Sequence, residues 1–303
     1  MAAGPSWAKA DGKTAGFTFE PGSTLKPFTV ALAMDQGKIT PETMIPTASG
    51  SLAIGKATIH DAHRFGDMTA AQVIQRSSNV GAAKIALGLP AEAMWSMFDK
   101  VGFGSAPRLG FPGAAGGRLR PYKTWRPIEQ ATMAYGHGIS VSLLQLARAY
   151  TIFARDGELM PLSLVRIDAP LSGSQVISPD TARKLRAMLE MAVEVGGTAP
   201  KARVMGYRVA GKTGTAHKEE NGSYAAHKYV SSFVGLAPAS DPRLVVAVML
   251  DEPSAGQYYG GAVAAPVFSA VMGGALRMLG VPPDAPLKPL ELPPDGSEIK
   301  EDV

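Results

Sequence analysis

A serine and a lysine three residues apart recur at three places in this chain: Ser6, Ser23 and Ser297 each begin a Ser-x-x-Lys. About one such match per 300 residues arises by chance at average composition, so context has to separate them. Ser6 and Ser297 lie in segments whose composition predicts no packed core. Ser23, in EPGSTLKPF, stands at the head of a helical pattern. A spacing of three sets Ser23 and Lys26 side by side on one helical face, and the positive end of the helix dipole there favours an alkoxide or an oxyanion. A serine hydroxyl is a poor nucleophile until a base takes its proton. A lysine serves as that base only when neutral, and bringing an amine of pKa ~10.4 to neutrality at pH 7 costs about 4 to 5 kcal/mol. Burial and a neighbouring cation supply such a shift.

Two further polar clusters each occur once. Ser77-Ser78-Asn79 is the only Ser-x-Asn and interrupts an otherwise apolar stretch; taken alone it reads as a helix break or an exposed polar turn. Lys212-Thr213-Gly214-Thr215 holds the only Lys-Thr-Gly, in a strand-like run. A glycine inside a strand costs stability, and one reason to keep it is close approach of a ligand to the backbone.

The elements that must position these residues follow from periodicity. Helices are predicted over 24–36 (closed at Gly37), 69–87, 142–155 and 181–194, the last opened by the cap Ser178 and by Pro179. After Gly206 the period becomes that of strands, over 207–216, 229–236 and 244–250, separated by Asn221-Gly222 and by Pro238 to Pro242. A last helix spans 265–279. Helices on both sides of a C-terminal antiparallel sheet make an α+β fold with a mostly helical subdomain. Residues 1–18 read as a flexible leader, 19–281 as the folded domain and 282–303 as a Pro-rich acidic disordered tail.

Ser23 to Ser77 is 54 residues and Asn79 to Lys212 is 133, and all three boxes in this order are far less probable than any one alone. The set resembles the signature of penicillin-binding proteins and serine β-lactamases. EPGSTLKPF, RSSNVGAAKIA, WRPIEQATMAYGHGISVSLLQLARAY, AGKTGTAHK and the stretch from Ser231 to Phe268 resemble class B transpeptidases of the cell-division type from Gram-negative bacteria. The likeness covers about 19–283. It implies a penicillin-binding fold and a D,D-transpeptidase that acylates Ser23 with the D-Ala-D-Ala end of a peptidoglycan stem peptide. β-Lactams would be its covalent inhibitors, and no cofactor or metal is implied. By the same resemblance Lys26 is the base and Lys212 the cation beside it. Ser77 and Asn79 carry the proton path and hold the substrate amide, the N–H groups of Ser23 and Thr215 form the oxyanion hole, and Thr213, Gly214 and Thr215 receive the substrate carboxylate. The family works at the periplasmic face of the inner membrane with divisome membrane proteins. It carries a membrane anchor, a pedestal and two sheet strands ahead of the nucleophile helix. This chain opens a few residues before the serine, so it reads as a fragment with one sheet edge exposed.

Rival readings are testable against the fold. A penicillin sensor that acylates without cross-linking shares every box. Gly206 to Thr213 also fits a P-loop, but that motif needs a strand before the first glycine and a helix starting at Lys-Thr, whereas Gly214 and Asn221-Gly222 predict a hairpin. His60 and His63 give an H-x-x-H in a segment that reads as loop, without a third ligand nearby. These two, with His137, His217 and His227, read as surface histidines. Glu129, Asp251 and Glu252 read as structural. Zero cysteines exclude thiol chemistry. The net charge of +4 comes from scattered Lys and Arg, so no nucleic-acid arm is present. No run reaches the ~18 uninterrupted apolar residues of a membrane span.

Overall fold

The computed structural model describes residues 17–109, 114–168, 171–220 and 223–287. Among them lie eight α-helices: α1 (Lys26–Asp35), α2 (Ala70–Arg76), α3 (Asn79–Leu87), α4 (Ala91–Lys100), α5 (Pro127–Met133), α6 (Leu143–Ala154), α7 (Pro179–Val193) and α8 (Gly260–Met278). Short strands pair in four small ladders, β1 (Thr18–Phe19) with β6 (Val141–Ser142), β2 (Met44–Ile45) with β5 (Met68–Thr69), β3 (Ser51–Ile54) with β4 (Ala57–His60), and β7 (Glu158–Leu159) with β8 (Ser174–Gln175). The main sheet is antiparallel in the order β11-β10-β9, from β9 (Ala210–Glu220), β10 (Ser223–Ala237) and β11 (Leu244–Asp251).

Alternation along these strands divides the core. Val230, Val234 and Leu236 of β10 and Val245, Ala247 and Met249 of β11 face the helical side. Phe233 and Ala237 of β10, with Leu244, Val246, Val248 and Leu250 of β11, face α8, which presents Ala264, Ala265, Phe268, Met272 and Leu276. Composition and length alone would allow α8 to cross a membrane; here its apolar stripe is spent on the sheet. The expected α+β arrangement is therefore what the chain adopts. Helix α6 covers the opposite face, and the outer edge of β11 has no strand beside it among the described residues.

Several local details differ from the sequence expectation. The helix expected over 69–87 is two helices, because Ser77 takes φ 62°, the left-handed region, and ends α2 there. Ser78 then caps α3, its Oγ accepting from Gly81 N–H at 2.8 Å, and Asp61 clamps the break by accepting from Ser78 Oγ at 2.7 Å and Val80 N–H at 3.0 Å. His60 stands on β4, not in a loop. The chain is also held beyond the expected boundary at 281: Asp284 accepts from Arg208 N–H at 2.7 Å and Ser240 Oγ at 2.6 Å. Most of the expected leader and tail, and the Asn221-Gly222 turn, lie outside the described residues.

Candidate active site

Ser23 sits in a 3₁₀ turn, Gly22–Leu25, that runs directly into α1. Three packing facts fix this turn. Phe28 of α1 lies against Tyr150, Phe153 and Phe103, with ring centroids 5.5, 5.1 and 5.6 Å away, a buried edge-on cluster typical of aromatic cores. The Tyr150 hydroxyl donates to Thr24 O at 2.8 Å, so α6 holds the turn by its backbone. Gly136, at φ 88°, presses on Gly22 so closely that a Cβ there would stand 2.2 Å from the Gly22 carbonyl oxygen. Gly136→Ala is accordingly expected to lose about 3 kcal/mol or more, since a disfavoured backbone and a backbone clash add. Urea unfolding measures it, and a loss under about 1 kcal/mol would show that the loop yields.

Lys26, one turn on, is fully buried. Its Nζ donates to Ser23 Oγ at 2.7 Å, to Ser77 O at 2.6 Å and to Ser77 Oγ at 3.0 Å. The left-handed backbone at Ser77 is what turns that hydroxyl toward Lys26, a strained conformation of the kind that clusters at working sites. Lys212, the third residue of β9, is also fully buried and its Nζ donates to the same Ser77 Oγ at 2.8 Å and to Thr213 Oγ1 at 3.1 Å. One serine hydroxyl thus joins two buried lysines, and of the five residues expected to converge, Ser23, Lys26, Ser77, Asn79 and Lys212, hydrogen bonds join all but Asn79.

The remaining expected residues take different places. Thr213 Oγ1 pairs with Thr198 Oγ1 at 2.8 Å, and Thr215 Oγ1 accepts from Gly260 N–H at 3.0 Å, at the start of α8. Gly214 does permit close approach, but to the chain itself: a Cβ there would meet Pro21 O at 2.6 Å and Ser232 Oγ at 2.5 Å. Strand β9 can therefore lie directly on the nucleophile turn. Asn79 is buried as the first residue of α3, and among the described residues its side chain makes no hydrogen bond to Ser23, Lys26 or Lys212. Lys212 sits inside an antiparallel strand and no helix begins there, so the P-loop reading is excluded.

Glu129 accepts from Arg120 and Arg126. The Arg126 backbone N–H first, and then the two guanidinium groups, hold its carboxyl down at about 2; the residue expected to be structural is an ion-pair partner. Two histidines read as surface residues lie elsewhere. His137 packs beside the nucleophile turn with its side chain only 22% exposed, and burial, then the Lys26 charge and His217, lower it to about 4. The Glu20 carboxylate at 3.8 Å pulls the other way, and burial outweighs it. His217 follows Thr215 on β9 and carries a buried Nδ1. The signal that could have placed them was proximity in sequence: each lies within three residues of Gly136 or Gly214, the glycines that admit backbone contact.

Comparison with known proteins agrees with this geometry. Residues 9–273 match the penicillin binding protein transpeptidase domain. The chain is 45% identical over 268 residues to a protein of Neisseria flavescens named "Probable peptidoglycan D,D-transpeptidase PenA", covering 88% of this chain and 66% of that one. It is 40% identical over 267 residues to the peptidoglycan D,D-transpeptidase FtsI of Escherichia coli K12, covering 88% and 45%. The chain thus spans about half to two thirds of the length of these relatives. The structure of the TP domain from Burkholderia pseudomallei penicillin-binding protein 3 superposes with a TM-score of 0.88 at 53% identity, covering 90% of this chain and 83% of that one. The chain, with its Ser23–Lys26–Ser77–Lys212 cluster carried on that fold, belongs to the penicillin-binding protein transpeptidase family.

Proposed function

We propose that this chain is the catalytic domain of a serine-type peptidoglycan D,D-transpeptidase, covalently inhibited by β-lactams. The observation that carries the reading is the buried contact of Lys26 Nζ with Ser23 Oγ at 2.7 Å, bridged through Ser77 Oγ to Lys212. Two buried ammonium groups sharing one hydroxyl repel each other and lose solvation together, which eases the loss of one proton from the pair. Lys26, at the serine, is the member that gives up its proton to enter the reaction.

The reaction then runs in two halves. Lys26 takes the Ser23 proton as Oγ adds to the carbonyl carbon of a terminal D-Ala-D-Ala bond, and the oxyanion is held by the N–H groups of Ser23 and Thr215. The C–N bond breaks, the departing D-alanine receives its proton through Ser77, and an ester on Ser23 remains. An amine of a second stem peptide adds to that ester, the C–Oγ bond breaks, and a proton from the amine nitrogen returns to Ser23. Lys212 supplies the fixed positive charge, Asn79 the contact to the substrate amide, and Thr213, Gly214 and Thr215 the rim that receives the terminal carboxylate. A folded domain that extends from 19 past 281 to Asp284, the periplasmic face of the inner membrane and divisome membrane partners belong to the same proposal for the longer protein, the last two resting on resemblance to its cell-division relatives. A sensor that acylates without cross-linking shares the first half alone.

Penicillin followed by mass spectrometry tests this. The expected result is one drug mass added to the peptide containing Ser23, persisting for hours. Loss of the adduct within seconds would indicate a β-lactamase, and no adduct at all would overturn the reading.

A further inference from the structure

Acylation leaves unused a group of polar side chains beside the nucleophile turn. Glu20 precedes Ser23 by three residues. Its carboxylate accepts from Gly138 N–H at 2.7 Å and from the Tyr224 hydroxyl at 3.1 Å, while His137 Nδ1 lies 3.8 Å away. The Tyr224 ring stands 6.1 Å from the His137 ring and 6.2 Å from the His217 ring. A cavity of about 300 Å³ opens between β1 and the end of β9, lined among others by Phe17, Glu20, Arg118, Ser140, His217 and Lys218.

The chemistry of this wall is specific. Burial, and then the charges of Lys26 and His217, lower His137 to about 4, and its Nδ1 stands 3.8 Å from the Glu20 carboxylate. Lys218 is engaged by Asp251 and Glu252, at 3.0 and 2.6 Å. Glu20 and Arg118 place a carboxylate and a guanidinium on the same cavity wall. The buried His217 Nδ1 has no hydrogen-bond partner among the described residues. Such an atom costs about 1 to 3 kcal/mol. The cavity lies near the nucleophile turn, since Glu20, on its wall, stands two residues ahead of Gly22 and the neighbour of His137, Gly136, touches Gly22.

An aminolysis reaction needs a place for its second substrate, and an alkyl amine, with a pKa of ~10.4, arrives as an ammonium ion. Resting on the transpeptidase reading above, we propose that this cavity docks the acceptor as an amino-acid centre. Glu20 binds its ammonium group, Arg118 binds the carboxylate beside it, and His137 and His217 act as positioning residues. The nitrogen that attacks is the free amine left when the bound ammonium yields a proton to water.

The test first acylates Ser23 with a thioester donor and then measures how the acyl-enzyme divides between an added amine and water. Measured as a ratio, the partition is independent of the acylation rate. D-Alanine is the zwitterionic probe, D-alaninamide the cationic one and hydroxylamine the uncharged one. Glu20→Gln is expected to raise the half-saturating D-alanine and D-alaninamide concentrations about tenfold, with hydroxylamine unaltered. Arg118→Gln is expected to weaken D-alanine about fivefold and D-alaninamide not at all. Equal effects of Glu20→Gln on all three probes, or none, would overturn the assignment of Glu20. An equal effect of Arg118→Gln on D-alanine and its amide, or none on D-alanine, would overturn that of Arg118. Penicillin labelling of wild-type protein separates the outcomes: without an adduct the transpeptidase reading itself fails, whereas an adduct with an unmoved partition ratio defeats this proposal alone.

Discussion

Ser23→Ala is expected to abolish the penicillin adduct, lowering the acylation rate by at least about 10⁵-fold, in line with removal of a nucleophile from a working unit. The prediction is sharp because the substitution disturbs little else. Ser23 is 4% exposed and its Oγ accepts from Lys26, while Lys26 retains Ser77 O and Ser77 Oγ as acceptors. Losing one of three acceptors for a buried donor costs stability on the order of 1 kcal/mol. The variant should unfold within about 1 kcal/mol of the parent, so loss of labelling cannot be assigned to loss of fold. Labelling that persists on another residue of the same protein would move the nucleophile, and with it the entire assignment.

That such a substitution could be named from sequence rests on a particular kind of legibility. The three boxes were readable because each chemical group sits in a recognisable local setting: a helix start at Ser23, polar side chains interrupting an apolar stretch at Ser77 to Asn79 and a strand at Lys212. Their convergence was not a local property. It depends on the antiparallel register that pairs Lys212 with Val234 and on contact of β9 with the turn at Gly22 and Pro21, neither of which leaves a periodic trace. The long helices and three sheet strands were legible from period and turn signals, with boundaries shifted by a few residues. The split at Ser77 was not, because a serine in the left-handed region is a tertiary outcome imposed by the Asp61 clamp and by Lys26. Helix α5 and the four small ladders are too short to generate a period. His137 and His217 escaped for a further reason. Their type favours a surface reading by default, and only the packing of loop 136–138 on the nucleophile turn reveals that they border the site.

Lys26 carries the second large effect, and here activity and stability should move in opposite directions. Lys26→Met preserves the length of the side chain and removes the nitrogen. Acylation is expected to fall about 10³- to 10⁴-fold, the upper range for a positioned general base. Its residual rate should rise steadily with pH as hydroxide replaces the missing base. Stability should hold or increase, because a fully buried amine and its like-charged neighbour Lys212 are costly to keep together, and Lys212 still donates to the Ser77 hydroxyl after the change. Stopped-flow labelling with a chromogenic penicillin across pH 6 to 9, beside urea unfolding of the same samples, reads both quantities. A loss of acylation below about tenfold would show that another group takes the serine proton. A large loss of stability would show instead that the three hydrogen bonds from Nζ hold the fold together, and that the two buried lysines are a structural pair whose proximity to Ser23 has no bearing on its reactivity.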